Sequence, residues 1–142
     1  MHRQLSLIIR VTAIIMVTAA LIAGTTTFAQ FKPYSEIMKD VAATFASLKK
    51  NLDGNSAAAA AQDAEKLEAS FKDVEAFWLQ FNTKDAVDLA KEAQRAGAEV
   101  GAKARDNDIK AAQTAYASIG RLCTDCHFSH REDTGKGFLI KP

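Results

Sequence analysis

The sequence predicts an all-α protein, folded as an up-down-up-down antiparallel four-helix bundle. Three observations lead there. Apolar residues recur in steps of three and four through four consecutive segments, the spacing of one helical face. Short polar turns separate the segments, and four similar helices on short turns fold most simply as an antiparallel bundle. The composition is alanine-rich, the 142 residues hold two prolines and seven glycines, and β-branched runs are scarce beyond the first thirty positions. A chain of this length supports one domain with one hydrophobic core.

Residues 1–29 read as a cleavable signal peptide. Arg3 and Arg10 give a basic start without acids, 11–24 is an apolar run, and Thr27 and Ala29 are the small residues of a cleavage site. The apolar stretch is shorter than the roughly 20 residues of a spanning helix, which favours cleavage over a retained anchor. The mature domain then covers 30–142, with no membrane segment. Its 16 basic and 17 acidic residues leave a net charge of −1, against +1 for the whole chain. No basic block or stripe is present, which argues against a nucleic-acid partner.

The first helix starts at Pro33, a residue suited to a first helical position. Met38, Val41, Phe45, Leu48 and Leu52 form its apolar face. Asp53-Gly54-Asn55-Ser56 reads as a turn, with Ser56 as N-cap of the second helix. That helix runs over 56–81 with Ala60, Ala64, Leu67, Phe71, Val74, Trp78 and Phe81 on one seam. Leu67 and Phe71 suit either the core or a dimer face. Asn82-Thr83 caps a third helix whose face is small: Ala86, Ala90, Ala93, Gly97, Val100 and Ala104. Such residues let a neighbour approach closely, at some cost in helix propensity from Gly97 and Gly101. Asp106-Asn107-Asp108 is the last break, and the fourth helix carries Ile109, Ala112, Tyr116, Ile119, Cys123 and Cys126. From about Thr134 the tail reads as loosely ordered.

Cys123-Thr124-Asp125-Cys126-His127 is the C-x-x-C-H signature of c-type haem attachment. Two thiols one helical turn apart can add across the two vinyl groups of one haem, and the following histidine can reach its iron. The two cysteines are the only ones in the chain, and export puts them outside the reducing cytosol. Three other readings compete. A thiol–disulfide site normally follows a strand in a βαβ setting, which is not predicted here. Cys123, Cys126, His127 and His130 number enough for zinc, but zinc sites space their ligand pairs more widely. A Cys123–Cys126 disulfide would close a very short loop and stabilise little.

A leader, four amphipathic helices and one C-x-x-C-H late in the last helix resemble the class II c-type cytochromes, the cytochrome c′ family. The resemblance spans 33–131, nearly the whole mature chain. It implies one covalent haem c on Cys123 and Cys126, with His127 as proximal iron ligand. It further implies a periplasmic, non-enzymatic protein with redox partner proteins, and it allows a homodimer. In that family an aromatic and then a basic residue often follow the motif, three and four positions after the histidine. Here those positions are His130, a departure, and Arg131, for which the resemblance implies a place near the propionates. An arginine often stands one turn before the sixth ligand; here that residue is Tyr34, and Lys32 or Lys136 could take over its role.

The sixth iron position decides the function. In an antiparallel bundle the start of the first helix lies beside the end of the fourth. Met38, five residues past Pro33, then sits at nearly the height of His127. It is the only methionine beyond the leader and lies on the apolar seam. The low-spin members of the family use a methionine early in the first helix, so Met38 is the expected distal ligand, typical of electron carriers. The other reading keeps Met38 as core and leaves the iron five-coordinate for nitric oxide or carbon monoxide. His130 projects from the same helix and side as His127 and cannot be the sixth ligand. Trp78, Phe81, Phe45, Phe71 and Tyr116 are read as core packing, with Trp78 and Phe81 near enough to line a haem pocket.

Overall fold

The structure is a computed structural model that describes Lys32–Pro142; the signal peptide read at 1–29 lies outside these residues. Four helices pack as the expected bundle: α1 Tyr34–Asp53, α2 Ala57–Leu79, α3 Lys84–Arg105 and α4 Ile109–His130. At a rise of 1.5 Å per residue each is a rod roughly 30–35 Å long. Among the described residues no helix is long and apolar enough to cross a membrane.

The turns share one device. Asn55, Asn82 and Asn107 each adopt a left-handed conformation, with φ of 53°, 55° and 58°. Asparagine tolerates this region because its short polar side chain bonds locally. In the first turn the strain falls on Asn55 although Gly54 is adjacent; Gly54 keeps φ −83°. The amides of Ser56 and Asp108 then donate back to the carbonyls of Asn51 (2.8 Å) and Lys103 (2.9 Å), which satisfies the last helical carbonyls in Schellman fashion. Ser56, Thr83 and Asp108 occupy the N-cap positions, and of the three only the Asp108 side chain caps, accepting from the Ala111 amide at 3.0 Å. Pro33 lies one residue outside α1 and offers its carbonyl to the amides of Glu36 and Ile37.

The seams bury much as their spacing predicts. Trp78, Leu48, Leu52, Leu67 and Ile119 are the largest side chains fully removed from water, together with Val100; each such residue contributes about 1.5–3 kcal/mol. Leu67 and Phe71 are core residues, so neither is a free dimer face. Three positions differ from expectation. α2 ends at Leu79 because the chain turns at Asn82, and this leaves Phe81 47% exposed at the edge of the seam. Met38 and Phe45 are only half-buried, because α1 and α4 touch sparsely while the three consecutive helix pairs pack along their length.

The closest packing lies between α2 and α3. A β-carbon added at Gly97 would meet the Ala64 carbonyl and the Glu68 backbone at 3.6 Å, and one at Gly101 would meet Ala64 at 3.5 Å. Beside this seam a polar clasp joins α1 to α2. Buried Asp63 accepts from Ser47 Oγ (2.5 Å), Asn51 Nδ2 (2.8 Å) and Lys66 Nζ (3.3 Å). Burial pushes its carboxyl up, but the bonds from Ser47, Lys66 and Asn51 outweigh that and hold it below the usual range.

The tail corrects the expectation of loose order. Arg131–Asp133 (β1) and Phe138–Ile140 (β2) form an antiparallel hairpin, with Arg131 opposite Ile140 and Asp133 opposite Phe138. Gly135 and Gly137 supply positive φ values of 72° and 155° in the connection. Asp133 Oδ1 accepts from the Gly135 amide at 2.8 Å, and the Thr134 amide donates to the Gly137 carbonyl at 2.9 Å. Strands of three residues are too short for an alternation signal, which is why periodicity missed them.

The geometry at Gly97 yields a test. Gly97→Ala places its methyl at ordinary contact distance and gains helix propensity, so stability should rise by about 0.5–1 kcal/mol. Gly97→Leu must push α2 away and should cost about 1–3 kcal/mol. Thermal unfolding followed by far-ultraviolet circular dichroism reads both; equal effects of the two variants would refute the close approach.

Candidate cofactor site

A cavity of about 680 Å³ lies at the end of the bundle where α1 and α3 begin and α2 and α4 finish. Its volume is in the range of small-molecule and cofactor sites. The walls are predominantly apolar, with Phe45, Phe71, Val74 and Leu89 among them and Ala90 and Ala93 contributed by the small face of α3.

The five residues singled out from the sequence all line this cavity: Cys123, Cys126 and His127 from α4, Arg131 at the junction to β1, and Met38 from α1. The helical period explains the first group. Positions 123, 126, 127 and 130 share one face, and all four are half-buried or buried while Thr124, Asp125, Phe128 and Ser129 are exposed. Met38 lines the cavity from α1, the helix that barely touches α4.

Burial sets the protonation of the motif. It pushes the Cys126 thiol up to about 11, aided by Cys123 and Asp85, and raises Cys123 as well. It lowers His127, with the Arg131 guanidinium adding to the effect, so the imidazole is held neutral with a lone pair to offer. A thiol–disulfide exchange site needs the opposite, a thiolate stabilised by a lowered pKa. Both cysteines are free thiols, so the disulfide reading has no bond to rest on.

The zinc reading fails on geometry. His130 Nδ1 donates to the Lys141 carbonyl at 2.9 Å, and Nε2 faces Asp85 Oδ2 at 3.1 Å. Both ring nitrogens are engaged, and the ring packs on Trp78 with centroids 4.9 Å apart. Among the described residues no three His, Cys, Asp or Glu side chains converge as metal ligands.

Tyr34, standing where the resemblance favours arginine, serves packing instead. Its hydroxyl accepts from Trp78 Nε1 at 3.1 Å and its ring stacks on Phe77 at 4.1 Å. Burial lifts its pKa to about 12, against the lowering effect of the Trp78 bond. The cations on the cavity wall are Arg131 and Lys39. Arg131 lies over the Phe138 ring at 4.3 Å, and Lys39 pairs with Glu36 at 2.6 Å. Lys32 pairs with Asp40, and neither Lys32 nor Lys136 lines the cavity. Lys39 was not singled out from the sequence; one residue past Met38, it carries the signal in that adjacency alone.

Of the residues read as core aromatics, Trp78 is fully buried and also lines the cavity, as do Phe45 and Phe71. Tyr116 stacks on Phe45 at 4.2 Å, and its hydroxyl donates to the Phe45 carbonyl at 3.3 Å. Phe81 leans on Phe77 and Trp78 outside the cavity. Phe138, Leu139 and Ile140 also line it; in the sequence they were three apolar residues in a tail without periodicity. No family model matches the chain, and no curated protein or solved structure matches it either.

Burial raises the pKa of both tyrosines, Tyr34 and Tyr116, to about 12. A tyrosine ionises near pH 10 in the unfolded chain. Their contribution to stability should therefore be complete below about pH 10 and decline as the pH rises towards 12. Urea unfolding at stepped pH measures this, and the Tyr34→Phe/Tyr116→Phe double variant should flatten the decline; an unchanged slope would contradict it.

Proposed function

We propose that the chain is an exported c-type cytochrome that holds one haem in this cavity and transfers electrons between protein partners in the periplasm. One observation carries the reading. The complete C-x-x-C-H set and the only methionine beyond the leader line a single apolar cavity, from two helices that otherwise scarcely meet. The donor set suits the group: two neutral thiols for thioether links, a neutral imidazole and a soft thioether. Bound there, haem supplies a one-electron ferric–ferrous couple.

The chain's own residues do the rest. Cys123 and Cys126 tether the group to α4, so retention does not depend on the sparse α1–α4 contact. His127, kept neutral by burial, presents a lone pair on the same side as the tethers. Met38 supplies a neutral sulfur ligand from α1 and so favours the reduced state. Phe45, Phe71 and Val74 exclude water, which disfavours the added charge of the oxidised state and raises the potential further. Lys39 and Arg131 give the wall positive charge for the propionates. No substrate is transformed in this scheme, and electrons enter and leave by way of partner proteins.

The test is expression with the native leader in a host that matures c-type haem. Intact mass should show one haem added to the chain, and Cys123→Ser/Cys126→Ser should lose it. The reduced spectrum should have sharp, split low-spin bands that carbon monoxide leaves unmoved, and Met38→Ala should become high-spin and bind the gas. A wild-type spectrum that is already broad and gas-sensitive would favour the five-coordinate reading, with Met38 as part of the wall. A chain without haem would sink the proposal.

A further inference from the structure

We propose that the C-terminal hairpin is the outer wall of the cofactor cavity and that His130 is the positioning residue that holds it shut; this rests on the haem reading above. The hairpin is polar except at one strand. Phe138, Leu139 and Ile140 are 61%, 58% and 40% exposed, yet all three line the cavity together with Arg131. Three consecutive apolar residues so exposed are costly in water, roughly 25 cal/mol per Å². They face the same space as Cys123, Cys126 and His127, so a flat apolar macrocycle tethered there is the occupant that covers them.

The hairpin is not left to swing. His130, the last residue of α4, exchanges two hydrogen bonds with Lys141 just beyond β2: the Lys141 amide donates to the His130 carbonyl at 3.0 Å, and His130 Nδ1 donates to the Lys141 carbonyl at 2.9 Å. The other ring nitrogen meets Asp85 in the first turn of α3 at 3.1 Å, and the ring face rests on Trp78 of α2. One side chain thus ties β2 to three helices. Arg131, over the Phe138 ring at 4.3 Å, braces the strand from the opposite side of the ladder. The residue that departs from the aromatic of the resembled family is therefore the fastening of a cavity wall, lying one turn beyond the expected iron ligand.

Entry of imidazole to the ferric haem of the full-length loaded Met38→Ala protein, whose sixth site is open, tests this, alongside amide hydrogen exchange of residues 131–142 of the wild-type chain. His130→Ala should speed exchange in the hairpin and raise the imidazole binding rate by roughly tenfold, the equivalent of about 1.4 kcal/mol in the opening equilibrium. Phe138→Ser/Leu139→Ser, at exposed positions of the hairpin, should raise the rate as well. Should His130→Ala fail to fold, Asp85→Ala removes the α3 anchor at an exposed residue and should act in the same direction. A loaded protein whose imidazole rate is unchanged in these variants overturns the wall. Faster entry in the serine variant alone overturns the role of His130, and faster entry in the histidine variant alone overturns that of the strand. If intact mass shows no haem on the wild-type chain, the cytochrome reading fails first and this inference falls with it.

Discussion

Small side chains along one face of α3 govern both halves of this bundle. At Gly97 and Gly101 they let the α2 backbone approach to ordinary contact distance, and the tight pair gives the fold a fixed spine. Nearer the start of the same helix, Ala90 and Ala93 present equally little bulk, but there no backbone moves in to take the space. The remaining volume is the cavity. What separates the two outcomes is the neighbouring helices: the Asp63 clasp binds α1 to α2 through Ser47 and Asn51, whereas the stretch of α1 around Met38 and Phe45 stands off from α4. One end is locked by close packing and buried hydrogen bonds, and the other encloses the cavity.

The cavity end is framed by aromatic side chains rather than by backbone proximity. Tyr34, Phe77, Trp78 and His130 form a connected group that joins the start of α1, the end of α2 and the end of α4. Its polar atoms are paired within the group or with Asp85 and Lys141, so no buried side-chain donor or acceptor among the described residues lacks a partner. A satisfied polar network in a buried setting rigidifies what it touches. Here it fixes the rim of the cavity while leaving the inner walls apolar.

Much of this was legible in the sequence, for a physical reason. Helical periodicity reports which face is buried, and the buried faces of α2 and α3 follow their seams from Ala60 to Trp78 and from Ala86 to Ala104. The motif was legible because its residues are contiguous in the sequence, and the place of Met38 on the cavity wall followed from the antiparallel topology and the apolar seam. Asp63 was not, since its burial depends on Ser47 and Asn51 across the interface, and an aspartate in an alanine-rich helix reads as a solvated position. The hairpin was hidden by its length, and periodicity does not say that Lys39 rather than Lys32 lines the cavity.

The sparse α1–α4 contact has a consequence for how fold and cofactor depend on each other. Cys123, Cys126 and His127 belong to α4 and Met38 to α1, so under the proposed reading the haem itself is the principal bridge between the first and last helices. A group that binds the folded chain through both helices, and the unfolded chain through the tethers alone, stabilises the fold by the difference. The covalent links would contribute little to that difference, because they would persist in the unfolded chain. On that reading the difference would come from ligation by Met38 and from the apolar walls. Met38 would then carry two loads, setting the spin state of the iron and closing the bundle, and the second would persist in part as wall packing if the first were lost. Tethering to one helix and ligation from the other would divide the work: α4 would keep the cofactor in place, and α1 would set what it can do.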